Sequence, residues 1–244
     1  MSAITPTQSN IMASLRSFLL AVFPGVDVIA GQINRVPEPS SSDFVVITPL
    51  HFERLRTNVD TEADVRFIGS IAGNTLTVTA VSFGVVLIGG TIFGTSVANG
   101  TVITGNGTGT GGIGTYTVSV SQSVSSETLS SGAQSFEQGA KVTVQMDFHS
   151  ANDTDAGDMA QTVSTLLRDD FGFQQFLSQS PYYGVVPLYA DDPRQVPFIN
   201  EAQQIEWRWI LEAQLQANQV VSQPQQYADV VTVNTIEVDA TYPP

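Results

Sequence analysis

The first apolar rhythm along the chain has the period of a helix. Ile11, Leu15, Phe18, Leu19 and Val22 recur at three- and four-residue spacing, which predicts a helix over about residues 8–22 with one apolar face. Thr7 or Ser9 can cap its start, and Phe23-Pro24-Gly25 stops it. A short strand follows at about 26–31, then a loop through Val36-Pro37-Glu38-Pro39 and a serine run. Phe44-Val45-Val46-Ile47 is continuous and apolar, the pattern of a strand buried on both faces.

From about Phe67 to Phe136 the period becomes two. Leu, Val and Tyr alternate with Thr and Ser in Thr75 to Val81, Thr101 to Thr104 and Thr115 to Val120, and Val85 to Ile88 forms a fourth strand-like run. Glycine-rich turns separate these runs at the spacing of a small sandwich or barrel. A flexible Gly/Ser linker is the rival reading, against which the alternation and the β-branched content argue.

Beyond the segment, Val142, Val144, Met146 and Phe148 alternate on one strand face. Asn152-Asp153-Thr154-Asp155 opens a helix running to about Asp170, with Met159, Val163, Leu166 and Leu167 as its core stripe and acids at the positive end of its dipole. A short helix at 173–178 and a strand at 184–189 are expected next. Residues 203–216 fit either a helix or a strand. Apolar residues at 205, 207, 209, 211, 213 and 215 favour the strand and put Trp207 and Trp209 on its core face. Val231, Val233 and Ile236 mark a final strand within 227–239, with a break near Asn234. Strands grouped with few helices predict an α+β fold: a mixed or antiparallel sheet flanked by helices, with an inserted small all-β domain, sandwich or barrel-like. The corresponding division is 1–66 with 137–244 as host and 67–136 as insert.

Composition sharpens this division. Residues 67–136 hold 14 of the 20 glycines but a single charged residue, Glu127. The whole chain has 23 acids against 9 bases, a net charge of -14, and Lys141 is its one lysine. No basic footprint for phosphates exists, so sequence-reading of nucleic acid is not expected. An acidic surface repels DNA and anionic membranes alike. The absence of cysteine removes disulfides, thiolate zinc sites and cysteine nucleophiles. The apolar stretch 11–22 is interrupted by Arg16 and is too short to span a bilayer, so folding in the cytoplasm is the simplest expectation.

The motifs that suggest chemistry have simpler readings. Gly107-Thr108-Gly109-Thr110-Gly111-Gly112 is a formal GxGxxG, but a dinucleotide site needs a helix after it and a strand-like run follows here. Asp153 to Asp158 resembles a calcium loop with glycine at the wrong place, and a helix start explains it better. His51 and His149, the two histidines, lack metal spacing. Asp191-Asp192-Pro193-Arg194 reads as a capped turn with an ion pair, or as a subunit contact. A hydrolase built on these acids alone would lack an oriented partner. No catalytic residue, cofactor or metal is expected.

Thr162-Val163-Ser164-Thr165-Leu166-Leu167-Arg168-Asp169-Asp170 and the run from Pro187 to Asn200 resemble the neck or tail-terminator proteins of tailed bacteriophages. Gln204-Ile205-Glu206-Trp207-Arg208-Trp209 and Gln225-Gln226-Tyr227-Ala228-Asp229 fit the same family. The resemblance covers about 1–66 and 137–244. It implies a virion subunit without enzymatic activity. Such a subunit forms a homo-oligomer, usually a hexameric ring, at the head-proximal end of the tail. The implied partners are the tail tube protein, the connector or adaptor protein and, in some tails, the sheath, with genomic DNA passing through unbound and no membrane. Tyr189, Asp191, Asp192, Pro193, Arg194, Phe198, Trp207 and Trp209 become candidate assembly contacts. The insert looks similar to β modules of other virion proteins and opens a second expectation, decoration or adhesion.

Overall fold

A computed structural model describes residues 4–31, 41–196, 198–199 and 205–226. In chain order the elements are β1 (Ile4–Thr5), α1 (Gln8–Val22), β2 (Asp27–Ala30), β3 (Phe44–Arg54), β4 (Val59–Phe83), β5 (Thr91–Phe93), β6 (Ile103–Asn106) and β7 (Gly114–Ser150). Then come α2 (Asp153–Leu167), α3 (Asp170–Leu177), β8 (Val185–Ala190), β9 (Arg194–Gln195), β10 (Phe198–Ile199) and β11 (Ile205–Pro224). The described residues between Met1 and Asp60 and between Phe136 and Val221 form one compact unit. Those between Thr61 and Ser135, with Ser222 onward, form the other.

The first unit is α+β. Its strands run in the order β1-β11-β7-β3-β2, and β8, β9 and β10 add to β11. The sheet is mixed: β2 is parallel to β3, whereas β3 is antiparallel to β7 and β1 and β8 to β11. One sheet face carries Val45, Ile47, Val142, Val144, Met146, Phe148, Leu211, Ala213 and Leu215, all at most 2% exposed. The helices cover that face through Ile11, Leu15, Phe18 and Leu19 of α1, Val163 and Leu167 of α2, and Phe176 of α3. Phe18 and Phe176 stack at 5.5 Å between ring centroids, tying α1 to α3.

Local chemistry sets the helix limits. Thr7 accepts from the Asn10 amide, and the Asn10 side chain accepts from the Thr7 amide, a reciprocal cap. Asp169 caps α3 by accepting from Phe171. The helix expected to run to Asp170 therefore ends at Leu167, and α3 begins at Asp170 rather than 173. Gly172 allows this tight turn, because a Cβ there would sit 2.4 Å from the Leu166 carbonyl.

The second unit is all β among its described residues and has its own core: Val65, Phe67, Ile71, Leu76, Val78, Val86, Ile92, Ile103, Tyr116, Val118, Val124 and Leu129. Within it β5 and β6 pair antiparallel with β7. The run 85–88 is not a strand. Gly84 (φ +78°) and Gly89 (φ +89°) flank it in left-handed conformation and break the extended backbone on both sides. Strand β5 was not legible in the sequence, and β7 is continuous where two separated strands, 115–120 and 141–149, were expected.

The GxGxxG run is the turn between β6 and β7, and strand rather than helix follows it. Tyr116 organises this turn. Its buried hydroxyl donates to the Gly112 carbonyl at 2.7 Å and accepts from the Gly111 amide at 2.9 Å, and a Cβ on Gly109 would lie 2.4 Å from the ring. Thr108 and Thr115 close the base of the turn through each other's amides and hydroxyls. Glu127, the one carboxylate of 67–136, accepts from the amide and hydroxyl of Ser96. The loop at 36–42 falls partly, and the strand at 227–239 wholly, outside the described residues.

Candidate assembly surface

The residues singled out around Asp191 gather on one edge of the first unit, where α2 meets β8, β9 and β11. A bulge prepares the surface. Gln214 pairs with Tyr189 and Leu215 with Pro187, so Leu188 is the extra residue. Two successive side chains, Leu188 (43% exposed) and Tyr189 (45% exposed), consequently face solvent.

Arg168, at the end of α2, locks the neighbouring turn. Its Nε donates to the Ala190 carbonyl, its Nη2 donates to Asp192 at 3.0 Å, and its guanidinium carbon lies 4.7 Å from the centre of the Tyr189 ring. The cation thus sits against an aromatic face and in a carboxylate pair together. Ser164, buried on α2, donates to the Asp191 carbonyl at 3.0 Å, and the Asp191 amide donates to the Glu212 carbonyl at 2.9 Å. Pro193 fixes the turn, and Arg194 reaches Glu212 on β11 at 3.4 Å. The Asp192 side chain is 93% exposed, so the Arg168–Asp192 pair contributes only about 0–1 kcal/mol to folding. Its effect is to hold geometry rather than to add stability.

The two tryptophans are half-buried. Trp209 packs on the main core and against α2, where Gly157 makes room: a Cβ there would lie 3.1 Å from the indole. Phe198 belongs to β10, which pairs with β11 through Phe198 and Glu206. Arg168, Ser164 and Glu212 complete the arrangement and were not singled out from the sequence as contacts. The available signal was cation scarcity. Between Arg66 and Arg208 the only bases are Lys141, Arg168 and Arg194, and isolated cations in an acidic chain tend to have specific partners.

His149 is buried at the end of β7 and stacks on Phe44 at 4.4 Å with 8° between the rings, whereas His51 is exposed. Asp153, Asp155 and Asp158 fall in the first turns of α2. Phe171, Phe173, Leu177 and Tyr182, in and after α3, are each 39–47% exposed. Arginine and exposed aromatics are the residue types enriched at protein–protein contacts.

The chain belongs to the phage neck terminator protein family, whose model matches residues 90–243. No curated protein matches the sequence. The family is structural, a component of the phage neck and tail, and its members associate with other neck and tail proteins. The match begins inside the glycine-rich segment and takes in about its last two thirds, a different span from the 1–66 and 137–244 of the sequence resemblance.

Proposed function

We propose that the chain is the subunit of a homohexameric ring at the head-proximal end of the phage tail, where it terminates the tail tube and joins it to the connector or adaptor of the neck. The family match over 90–243 is the observation that carries this reading. The subunit contacts are Tyr189, Asp191, Asp192, Pro193, Arg194, Phe198, Trp207 and Trp209, with Arg168 holding the turn. The tail tube protein and the connector are the direct partners, with the sheath added in contractile tails. Genomic DNA passes through the ring unbound, which the net charge of -14 supports. The subunit folds in the host cytoplasm and ends in the virion. Residues 67–136 act as an inserted β module on a host domain of 1–66 and 137–244.

Native mass spectrometry and electron microscopy of the purified protein test this reading. A closed six-membered ring is expected, and Arg168→Glu lowers its yield while leaving the circular dichroism spectrum unchanged. A chain that stays monomeric alone and with tail tubes excludes the proposal. A second reading, decoration or adhesion through the β module, draws on the exposed apolar side chains of that unit. Deleting 67–136 separates the two, because a terminator still assembles and an adhesin loses its target.

A further inference from the structure

The second unit contains two Asn-Gly pairs, Asn99-Gly100 and Asn106-Gly107, and all four residues are exposed. Sequence and exposure make the two sites equivalent, but the backbone does not. Gly107 donates its amide to the Thr115 carbonyl at 2.9 Å, and Asn106 ends β6, paired with Tyr116 of β7. Gly100 is the third residue of a β-turn, closed by the Thr101 amide donating to the Ala98 carbonyl at 3.2 Å, and it holds φ +78°. Among the described residues the Gly100 amide has no acceptor and the Asn99 side chain has no hydrogen-bond partner. A Cβ on Gly100 would meet nothing within 4 Å. The ends of this turn are fixed. The Ala98 amide donates to Gln122 Oε1 at 2.8 Å, Gln122 Nε2 donates to the Thr101 hydroxyl at 2.8 Å, and Thr101 is buried. The peptide between Asn99 and Gly100 can therefore rotate without opening the rest of the unit.

We propose that Asn99 is a site of spontaneous modification, converting to aspartate and isoaspartate, and that Asn106 is protected from the same reaction. The Gly100 nitrogen attacks the side-chain carbonyl carbon of Asn99. An N–Cγ bond forms as the amide proton passes to water, the Cγ–Nδ2 bond breaks, and ammonia leaves. Water then opens the five-membered imide. Opening at the side-chain carbonyl gives aspartate. Opening at the backbone carbonyl gives isoaspartate, which routes the chain through the side chain and lengthens it by a methylene. The balance is one water taken up and one ammonia released, so no cofactor is needed. The attack requires a nitrogen that is not donating elsewhere and a peptide that can turn toward the side chain. Gly100 supplies both, whereas Gly107 is tied to Thr115. Conversion places a second acid in residues 67–136, which hold only Glu127. Glu127 already binds Ser96, three residues before Asn99. The reaction requires no partner, so it stands apart from the terminator reading.

The test incubates the full chain in mildly alkaline buffer beside a sample unfolded in urea. Chymotrypsin releases residues 94–116 as one peptide, and its fragment ions in mass spectrometry separate the two asparagines. In the folded chain Asn99 is expected to convert about tenfold faster than Asn106, the factor that one backbone hydrogen bond sets. In urea the two rates converge, because both sites then have the same Asn-Gly chemistry. Isoaspartyl methyltransferase is expected to label the folded chain after incubation, and Asn99→Gln lowers that label while circular dichroism verifies the fold. Equal rates in the folded chain, or faster conversion at Asn106, overturn the proposal. So does a folded chain that converts at neither site while the urea sample reacts at both, and so does a label unmoved by Asn99→Gln.

Discussion

Single residues show which parts of the chain are dictated and which are free. Glu53 and Lys141 face each other across β3 and β7 with 2.6 Å between Nζ and Oε2. Lys141 holds the Glu53 carboxyl below the usual glutamate range, first by its hydrogen bond and then by its charge. A lowered folded-state pKa means that the pair favours folding above the unfolded glutamate value, and that this contribution is lost as pH falls through the folded value. Lys141→Met is expected to raise the Glu53 midpoint toward the usual glutamate range, measured by carboxyl-detected NMR titration. Gly109 is a position of the opposite kind. A Cβ there would lie 2.4 Å from the Tyr116 ring, so Gly109→Ala forces the ring or the turn to move. Chemical denaturation should show a loss of about 1–3 kcal/mol, the range for overpacking. Only the glycine spacing was legible here. The sequence does not reveal that a tyrosine seven positions later fills the space the glycines leave.

At the scale of elements, period was a sound guide wherever one face was buried. Alpha helix α1 coincides with its apolar stripe, and β11 follows the odd-numbered positions from Leu211 to Ala217. Leu215→Ala, at 0% exposure in the middle of that row, should destabilise the protein by about 2–5 kcal/mol in urea denaturation. Strand β7 was harder to read. Tyr116, Val118 and Val124 share one parity and Leu129 has the other, so the alternation fails although the backbone stays extended. Pairing with β3, β4, β5 and β6 sustains it, and all of these but β6 are distant in sequence. The same limit applied to the candidate site. Asp191 to Arg194 read as a turn with an ion pair, but the partners are Arg168 and Glu212, 24 and 18 residues away. Turn chemistry is local and visible in one sequence, whereas ion-pair partners are set by tertiary structure.

For the whole molecule, the two apolar cores share no residue. One draws on 11–47 and 142–217, the other on 65–129. Replacing 61–135 with a short turn is therefore expected to leave a chain that still unfolds cooperatively and keeps its helical circular dichroism signal. Loss of cooperativity would show that the first core depends on the second unit. The composition shift near residue 67 hinted at such a division, because charge vanishes where a separate set of apolar residues takes over. The assignment of residues 222–226 to the second unit had no comparable signal, since Ser222-Gln223-Pro224-Gln225-Gln226 has neither the glycine nor the β-branched residues of 67–136.

Strand β11 has a consequence for the order of synthesis. β1 pairs Ile4 and Thr5 with Val221 and Val220, and β8, β9 and β10 all pair with β11. A ribosome that has released residues 1–200 has made the Asp191 turn together with Arg168 and Ser164, but not β11, with which β8 and β9 pair and whose Glu212 meets Asp191 and Arg194. The strand pairing that backs Tyr189 and Arg194 comes only with β11. A chain truncated before residue 205 is accordingly expected to lose protection of the 185–195 backbone in hydrogen exchange, because β8 and β9 have no strand to pair with.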